Sequence, residues 1–167
     1  PLERSLLEPE FLPYNHRRSF CGNHSEIYRK PGGKVIMNRA YKFRIYPTAK
    51  QEILLAKTFG CCRFIYNVML DEKIREYKET GKMKQITPAM YKGKYPWLKE
   101  VDSLALANVQ LHLESAYKKF FREPKAGFPK FKSKHGSRQS YTTNVVNGNI
   151  SLEQNKIKLP KMLSTLS

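Results

Sequence analysis

Residues 48–81 read TAKQEILLAKTFGCCRFIYNVMLDEKIREYKETG, and this stretch decides the class of the fold. Thr48 with Gln51 makes a Thr-x-x-Gln capping box, in which two side chains take up backbone N–H groups that the first helical turn leaves unpaired. A short helix is expected to about Phe59, where Gly60 breaks it. A second helix is expected from about Cys62 to Thr80. Its apolar stripe is Ile65, Val68 and Met69, with Tyr66, Leu70, Ile74 and Tyr77 adjacent. Gly81 is the expected stop, because glycine enters the left-handed C-cap conformation without steric cost. Helix, glycine turn and helix together predict a helix-turn-helix.

Upstream, Tyr41, Phe43 and Ile45 alternate with Lys42 and Arg44. That is the period of a half-buried strand over 41–46, ended by Pro47. Residues 1–36 carry four prolines, the Gly32-Gly33 pair and scattered charges without helical or strand period. They are expected to be a disordered extension, with the ordered module opening at Met37. The first residues would then lie upstream of the natural start. Downstream, 82–99 reads as a loop anchored by Trp97 and Leu98. Asp102 or Ser103 should cap a third helix to about Phe121, whose Leu106, Val109, Leu113, Ala116 and Phe120 share one face. A basic linker occupies 122–139. Residues 140–146 look extended, Asn147-Gly148-Asn149 is a turn signal, and Ile150, Leu152, Ile157 and Leu159 alternate as a hairpin. The expected class is α+β: a strand, a helical lobe over 48–121, and antiparallel strands over 140–160.

The charge balance speaks about partners. Thirty-one Lys and Arg stand against fourteen Asp and Glu, a net charge of +17 over 167 residues with a pI near 9.9. Such an excess seeks a polyanion, nucleic acid first and an anionic membrane second. Between Tyr117 and Lys161, eleven basic residues face only Glu123 and Glu153. Within that span, residues 127–141 read GFPKFKSKHGSRQSY, interleaving basic and aromatic side chains. Lys125, Lys130, Lys132, Lys134 and Arg138 are candidates for phosphate contact. Phe128 and Phe131 are expected to be half-buried, and Phe131 and Tyr141 offer faces on which an unstacked base could sit. Lys42 and Arg44 would line the polar face of the first strand. Arg63 is a further candidate, because a cation at the start of the second helix opposes the helix dipole. Tyr66 and Asn67 beside it serve packing or contact equally well.

Other chemistry finds little support. A two-metal phosphodiesterase needs converging carboxylates, yet the chain has only Asp71 and Asp102 as aspartates, one expected on a solvated face and one at a helix cap. Cys21 and His24 make a Cys-x-x-His without the further ligands a tetrahedral zinc site needs. His112 reads as a packing or surface residue, and the adjacent Cys61 and Cys62 as small buried thiols. No phosphate-binding Gly-x-x-x-x-Gly-Lys occurs. Three cysteines suit a reducing, cytoplasmic setting. No run of eighteen apolar residues and no signal-peptide core are present. No catalytic residue, cofactor, metal, small-molecule substrate or membrane is expected.

Six segments occur in one order: AYKFRIYPTAKQ, AKTFGCCRFIYN, YPWLKEVDS, AYKKFF, GFPKFKSK and KIKLPK. Their wording and order resemble the N-terminal part of TnpB, the OrfB protein of bacterial and archaeal insertion sequences, over roughly Met37 to Met162. The resemblance implies RNA-guided DNA cleavage by the whole family protein. It implies that this half is a wedge-type β-barrel with an inserted helical lobe, gripping guide RNA scaffold, guide–target duplex and flanking DNA. The helix opening at Ser103 is where it would place the reading of flanking DNA. The family's nuclease domain and zinc ribbon follow the KLPK segment, so the resemblance carries binding, not cutting, to these residues. Two alternatives stand beside it: a small regulator competing for guide RNA, and part of an active endonuclease completed by further sequence.

Overall fold

A computed structural model of the chain describes residues 40–42, 44–135, 139–153, 156–162 and 164–166. The backbone separates into two units, Pro1–Arg44 and Ile45–Ser167. In the first, Ala40, Tyr41, Lys42 and Arg44 are exposed and without regular structure; the expected extension over 1–36 lies outside the described residues. The second contains α1 (Ala49–Thr80), α2 (Pro88–Lys94), a 3-10 turn (Pro96–Lys99), α3 (Ser103–Arg122), β1 (Ser151–Glu153) and β2 (Lys156–Lys158).

Helix α1 is a single element of 32 residues. The expected break at Gly60 does not occur. A glycine inside a helix costs only about 0.5–1 kcal/mol relative to alanine. Ile65, Met69 and Leu70 on the same helix are completely buried, and each such side chain contributes about 1.5–3 kcal/mol. Burial of that face therefore outweighs the local weakness. The helix ends at Gly81, in the left-handed conformation at φ 69°, with its N–H bonded to the Tyr77 carbonyl. At the other end the Thr48 N–H donates to Gln51 Oε1 at 2.8 Å, as the capping box predicts.

The core lies between α1 and α3. Ile65, Met69 and Leu70 of α1 join Leu106, Val109, Leu113 and Tyr117 of α3. Ile86, Tyr91, Leu98 and Val101 close one end of it. Part of α1 is apolar enough over 18 residues, mean hydropathy 1.4, to pass for a membrane span by composition; here its apolar face is taken by α3. The region 82–99 is more ordered than expected. Pro88 sits in the first turn of α2 and Pro96 opens the 3-10 turn, both places where a missing N–H costs nothing. Leu98 is buried as expected. Asp102 caps α3, accepting from the Leu104 N–H at 3.0 Å and the Ala105 N–H at 3.2 Å.

The strands form less than expected. β1 and β2 pair antiparallel, with Ser151 opposite Lys158, Leu152 opposite Ile157 and Glu153 opposite Lys156. Ile157 and Leu166 add one bridge through bonds of 2.8 and 2.7 Å. This is a hairpin, not a closed barrel. Tyr41, Lys42 and Arg44–Tyr46 form no strand, and neither do the residues from Ser140 to Val146. In the latter, side chains occupy groups that a ladder would use. Asn108 Nδ2 donates to the Thr142 carbonyl at 3.2 Å, and Asn149 bonds both the Val146 N–H and the Asn144 carbonyl. Asn147 and Gly148, at φ 51° and 70°, make the tight turn that the Asn-Gly pair predicts. The C-terminal segment returns to the start of α1, where Gln51 Nε2 donates to Ser164 Oγ and to the Ser164 and Thr165 carbonyls.

Candidate nucleic-acid interface

Past Glu123 the chain leaves α3 and runs back as an extended segment. Phe128 turns inward, its ring edge-on to Tyr117 and Phe120 at 5.6 and 5.4 Å. Pro129 is buried beside it. Phe131, expected to be half-buried, is instead 56% exposed. The difference follows from the anchor: Phe128 and Pro129 fill the apolar space near α3, leaving the Phe131 ring no core position.

The segment is fastened to α1 by one side chain. Asn67 Oδ1 accepts from the Lys132 N–H at 2.8 Å, and Asn67 Nδ2 donates to the Lys132 carbonyl at 2.9 Å. A single amide thus satisfies both backbone groups of one residue, as a neighbouring strand would. The Lys132 ammonium lies 4.3 Å from the centre of the Tyr66 ring. Burial lowers its pKa, with Cys62 partly opposing. Tyr66 and Asn67, open between packing and contact in sequence, therefore both hold the basic segment in place. Lys132 is a cation engaged with the protein, unlike its neighbours.

Lys125, Lys130 and Lys134 are exposed. None of them takes part in the ion pairs among the described residues, which are Lys57 with Glu100, Lys84 with Glu72, and Lys119 with Glu123. Arg138 lies outside the described residues. Lys42 and Arg44 belong to the first unit, and both are exposed. Ser103 opens α3 on the surface, its hydroxyl receiving the Lys92 ammonium at 2.8 Å.

Arg63 has no hydrogen bond or ion pair among the described residues. It borders two depressions. One is a small pocket of about 70 Å³ between α1, α3 and residues 139–142, which it shares with His112, Lys132 and Tyr141. Burial lowers the His112 pKa, and the nearby Lys132 charge lowers it further. Tyr141 is half-buried and edge-on to Phe59 at 5.7 Å, so it is a wall of this pocket rather than an open stacking face. The other is an open cleft of about 670 Å³ between α1, α2 and Phe131. Arg75, Lys94 and Tyr95 also line it, and residue-type patterns alone did not single them out. The signal that finds Arg75 is the helical series Arg63, Asn67, Asp71, Arg75, spaced four residues apart on α1, whereas Lys94 and Tyr95 come from another segment and carry no such local signal.

Among the described residues the carboxylates do not gather. Glu72 accepts from the Tyr91 hydroxyl and lies 3.9 Å from the Lys84 ammonium; Asp102 is spent on the α3 cap and on the Thr143 hydroxyl. Among the described residues no three His, Cys, Asp or Glu side chains are placed to hold a metal ion. The Cys62 thiol is pushed up to about 12 by burial, which leaves it protonated and inert at neutral pH.

Residues 37–82 match the helix-turn-helix domain of OrfB proteins of the IS605 type. A protein of Streptomyces pristinaespiralis named as an RNA-guided DNA endonuclease is 35% identical over 111 residues, 62% of this chain and 27% of the relative. The protein of Escherichia coli K12 named as the RNA-guided DNA endonuclease InsQ is 33% identical over 133 residues, 74% of this chain and 32% of the relative. Virulence protein VsdF of Salmonella dublin is 38% identical over 115 residues, 60% of this chain and 97% of that protein. The chain thus spans about a third or less of the relatives named as endonucleases and nearly the whole of the Salmonella protein. On these similarities the chain belongs to the TnpB/OrfB family of transposon-associated, nucleic-acid-binding proteins and corresponds to its N-terminal, helix-turn-helix region.

Proposed function

We propose that this chain is the nucleic-acid-recognition part of a TnpB-like RNA-guided system, and that it grips the RNA guide scaffold and DNA without itself cutting them. The observation that carries this reading is the basic segment 125–135. Its backbone is pinned to α1 by Asn67, while Lys125, Lys130 and Lys134 point into solvent without carboxylate partners. A pre-ordered row of free ammonium groups binds phosphates with little further ordering cost. Lys42, Arg44 and Arg138 extend the same charge in sequence, and Ser103 at the start of α3 is assigned to flanking DNA.

The test is a salt titration of binding to structured RNA from the parent element. If about five phosphates are neutralised, log affinity falls against log salt with a slope near −3 to −4. Replacing Lys125, Lys130 and Lys134 together by Ala removes about two units of that slope, with similar loss for unrelated RNA sequences, because phosphate contacts position rather than specify. A triple variant with undiminished affinity and slope refutes the reading.

One observation favours a second role. The match covers 97% of the Salmonella protein, which supports this region acting as a separate polypeptide that competes with longer family members for the same RNA. Titrating the chain into a longer relative bound to its RNA, and finding no displacement, sinks that version.

A further inference from the structure

The open cleft beside α1 combines features that phosphate gripping does not need. Phe131 stands in it with its ring largely exposed. The backbone that carries it is nevertheless held in place, because the next residue is clamped at both backbone groups by Asn67. Across the cleft, Phe64 meets the Tyr95 and Trp97 rings edge-on, each at 4.9 Å, forming an aromatic wall. Arg63 and Arg75 border the same space, and neither has a carboxylate partner among the described residues. Asp71 lies between them on the helix, exposed and likewise without a hydrogen bond or ion pair among the described residues. The volume, about 670 Å³, falls in the range of sites that enclose small organic ligands.

A flat apolar face, two free guanidinium groups and one free carboxylate are the complement of a nucleotide. We propose that this cleft seats a single unstacked nucleotide of single-stranded nucleic acid. Its base lies against the Phe131 ring, and the phosphates on its two sides face Arg63 and Arg75 in turn, because these positions stand about 18 Å apart along the helix. The Asp71 carboxylate only accepts hydrogen bonds, so it faces a base edge carrying adjacent N–H donors. Guanine offers two, the ring N1–H and the exocyclic amino group, whereas uracil offers one N–H between two carbonyls that a carboxylate repels. The cleft therefore prefers guanine. This inference rests on the nucleic-acid reading above but uses a different face from the exposed lysines.

The test uses the full chain and single-stranded oligonucleotides of about eight nucleotides, in RNA and DNA forms, one set carrying 2-aminopurine at the centre and another carrying guanine or uracil there. Stacking on Phe131 changes the emission of the 2-aminopurine on binding. Phe131→Ala is expected to abolish that change and to weaken binding roughly 5- to 150-fold, the range found for removing one stacked base. Asp71→Asn is expected to erase the preference for a central guanine over uracil while leaving uracil-containing strands bound as before. Both side chains are exposed, so melting curves matching the parent chain establish that each variant folds. Equal losses for RNA and DNA assign the site to base and phosphate; a loss confined to RNA assigns the ribose hydroxyl as well, and both uphold the cleft. Unchanged affinity and emission for Phe131→Ala, with binding still lost in the lysine triple variant, overturns this proposal and spares the phosphate grip. Strands that fail to bind the parent chain at all overturn both.

Discussion

Asn67→Ala isolates the part of the structure on which the interface depends. The substitution removes two hydrogen bonds, of 2.8 and 2.9 Å, to the Lys132 backbone. A net contribution of about 0.5–1.5 kcal/mol for each sets the loss at about 1–3 kcal/mol. Lys132 is exposed, so water can replace the lost partners and the lower half of that range applies. A loss of about 1–2 kcal/mol corresponds to roughly 5- to 30-fold in a local opening equilibrium. Amide exchange of Lys132 measured by NMR should therefore quicken by that factor, because its partner among the described residues is gone. Amides in the middle of α1 and α3 should change far less, since the segment can lift without unmaking the Ile65–Leu106–Leu113 core. Asn67→Asp provides the control. It keeps an acceptor for the Lys132 N–H but aims a carboxylate oxygen at the Lys132 carbonyl, so protection should be recovered only in part. RNA affinity should fall with the opening of the segment, although Asn67 carries no charge to lose. Identical Lys132 exchange in the parent and Asn67→Ala chains would falsify the clamp, and with it the pre-ordered grip.

Two other outcomes follow from the core. Gly60→Ala should raise stability by about 0.5–1 kcal/mol, because Gly60 is within a continuous helix and an added Cβ meets nothing within 4 Å; a lower melting temperature would restore the helix break that the sequence suggested. Alkaline titration tests the buried thiol and phenol. Burial pushes Cys62 from 9.0 up to about 12 and Tyr117 from 10.0 up to about 12. The unfolded chain releases these protons first, so stability from these groups is complete below about pH 9 and is lost as pH rises toward 12. A melting temperature that stays flat from pH 9 to 11 contradicts that burial.

The sequence by itself determined those features whose cause is local or compositional. The Thr48–Gln51 cap, the Gly81 stop, the Asp102 cap and the Asn147-Gly148 turn each depend on residues within one turn of chain, and all four form as read. The same holds for the α3 face and the paired stretch around Ile157. The charge excess was legible because it needs no geometry. Tertiary structure decided the rest. Gly60 reads as a break, but whether a helix bridges a glycine depends on the burial available on either side, which only the packing of α1 on α3 supplies. The alternation in 41–46 and the extended pattern in 140–146 specify faces, not partners. A strand exists only when another backbone takes its hydrogen bonds, and over 140–146 Asn108 and Asn149 take several of them. At the interface, Lys130 and Lys132 look equivalent in sequence. Contact with Tyr66 and Asn67, 65 residues from the Lys132 backbone along the chain, makes one an anchor and leaves the other free, because a long-range contact has no signature in local sequence.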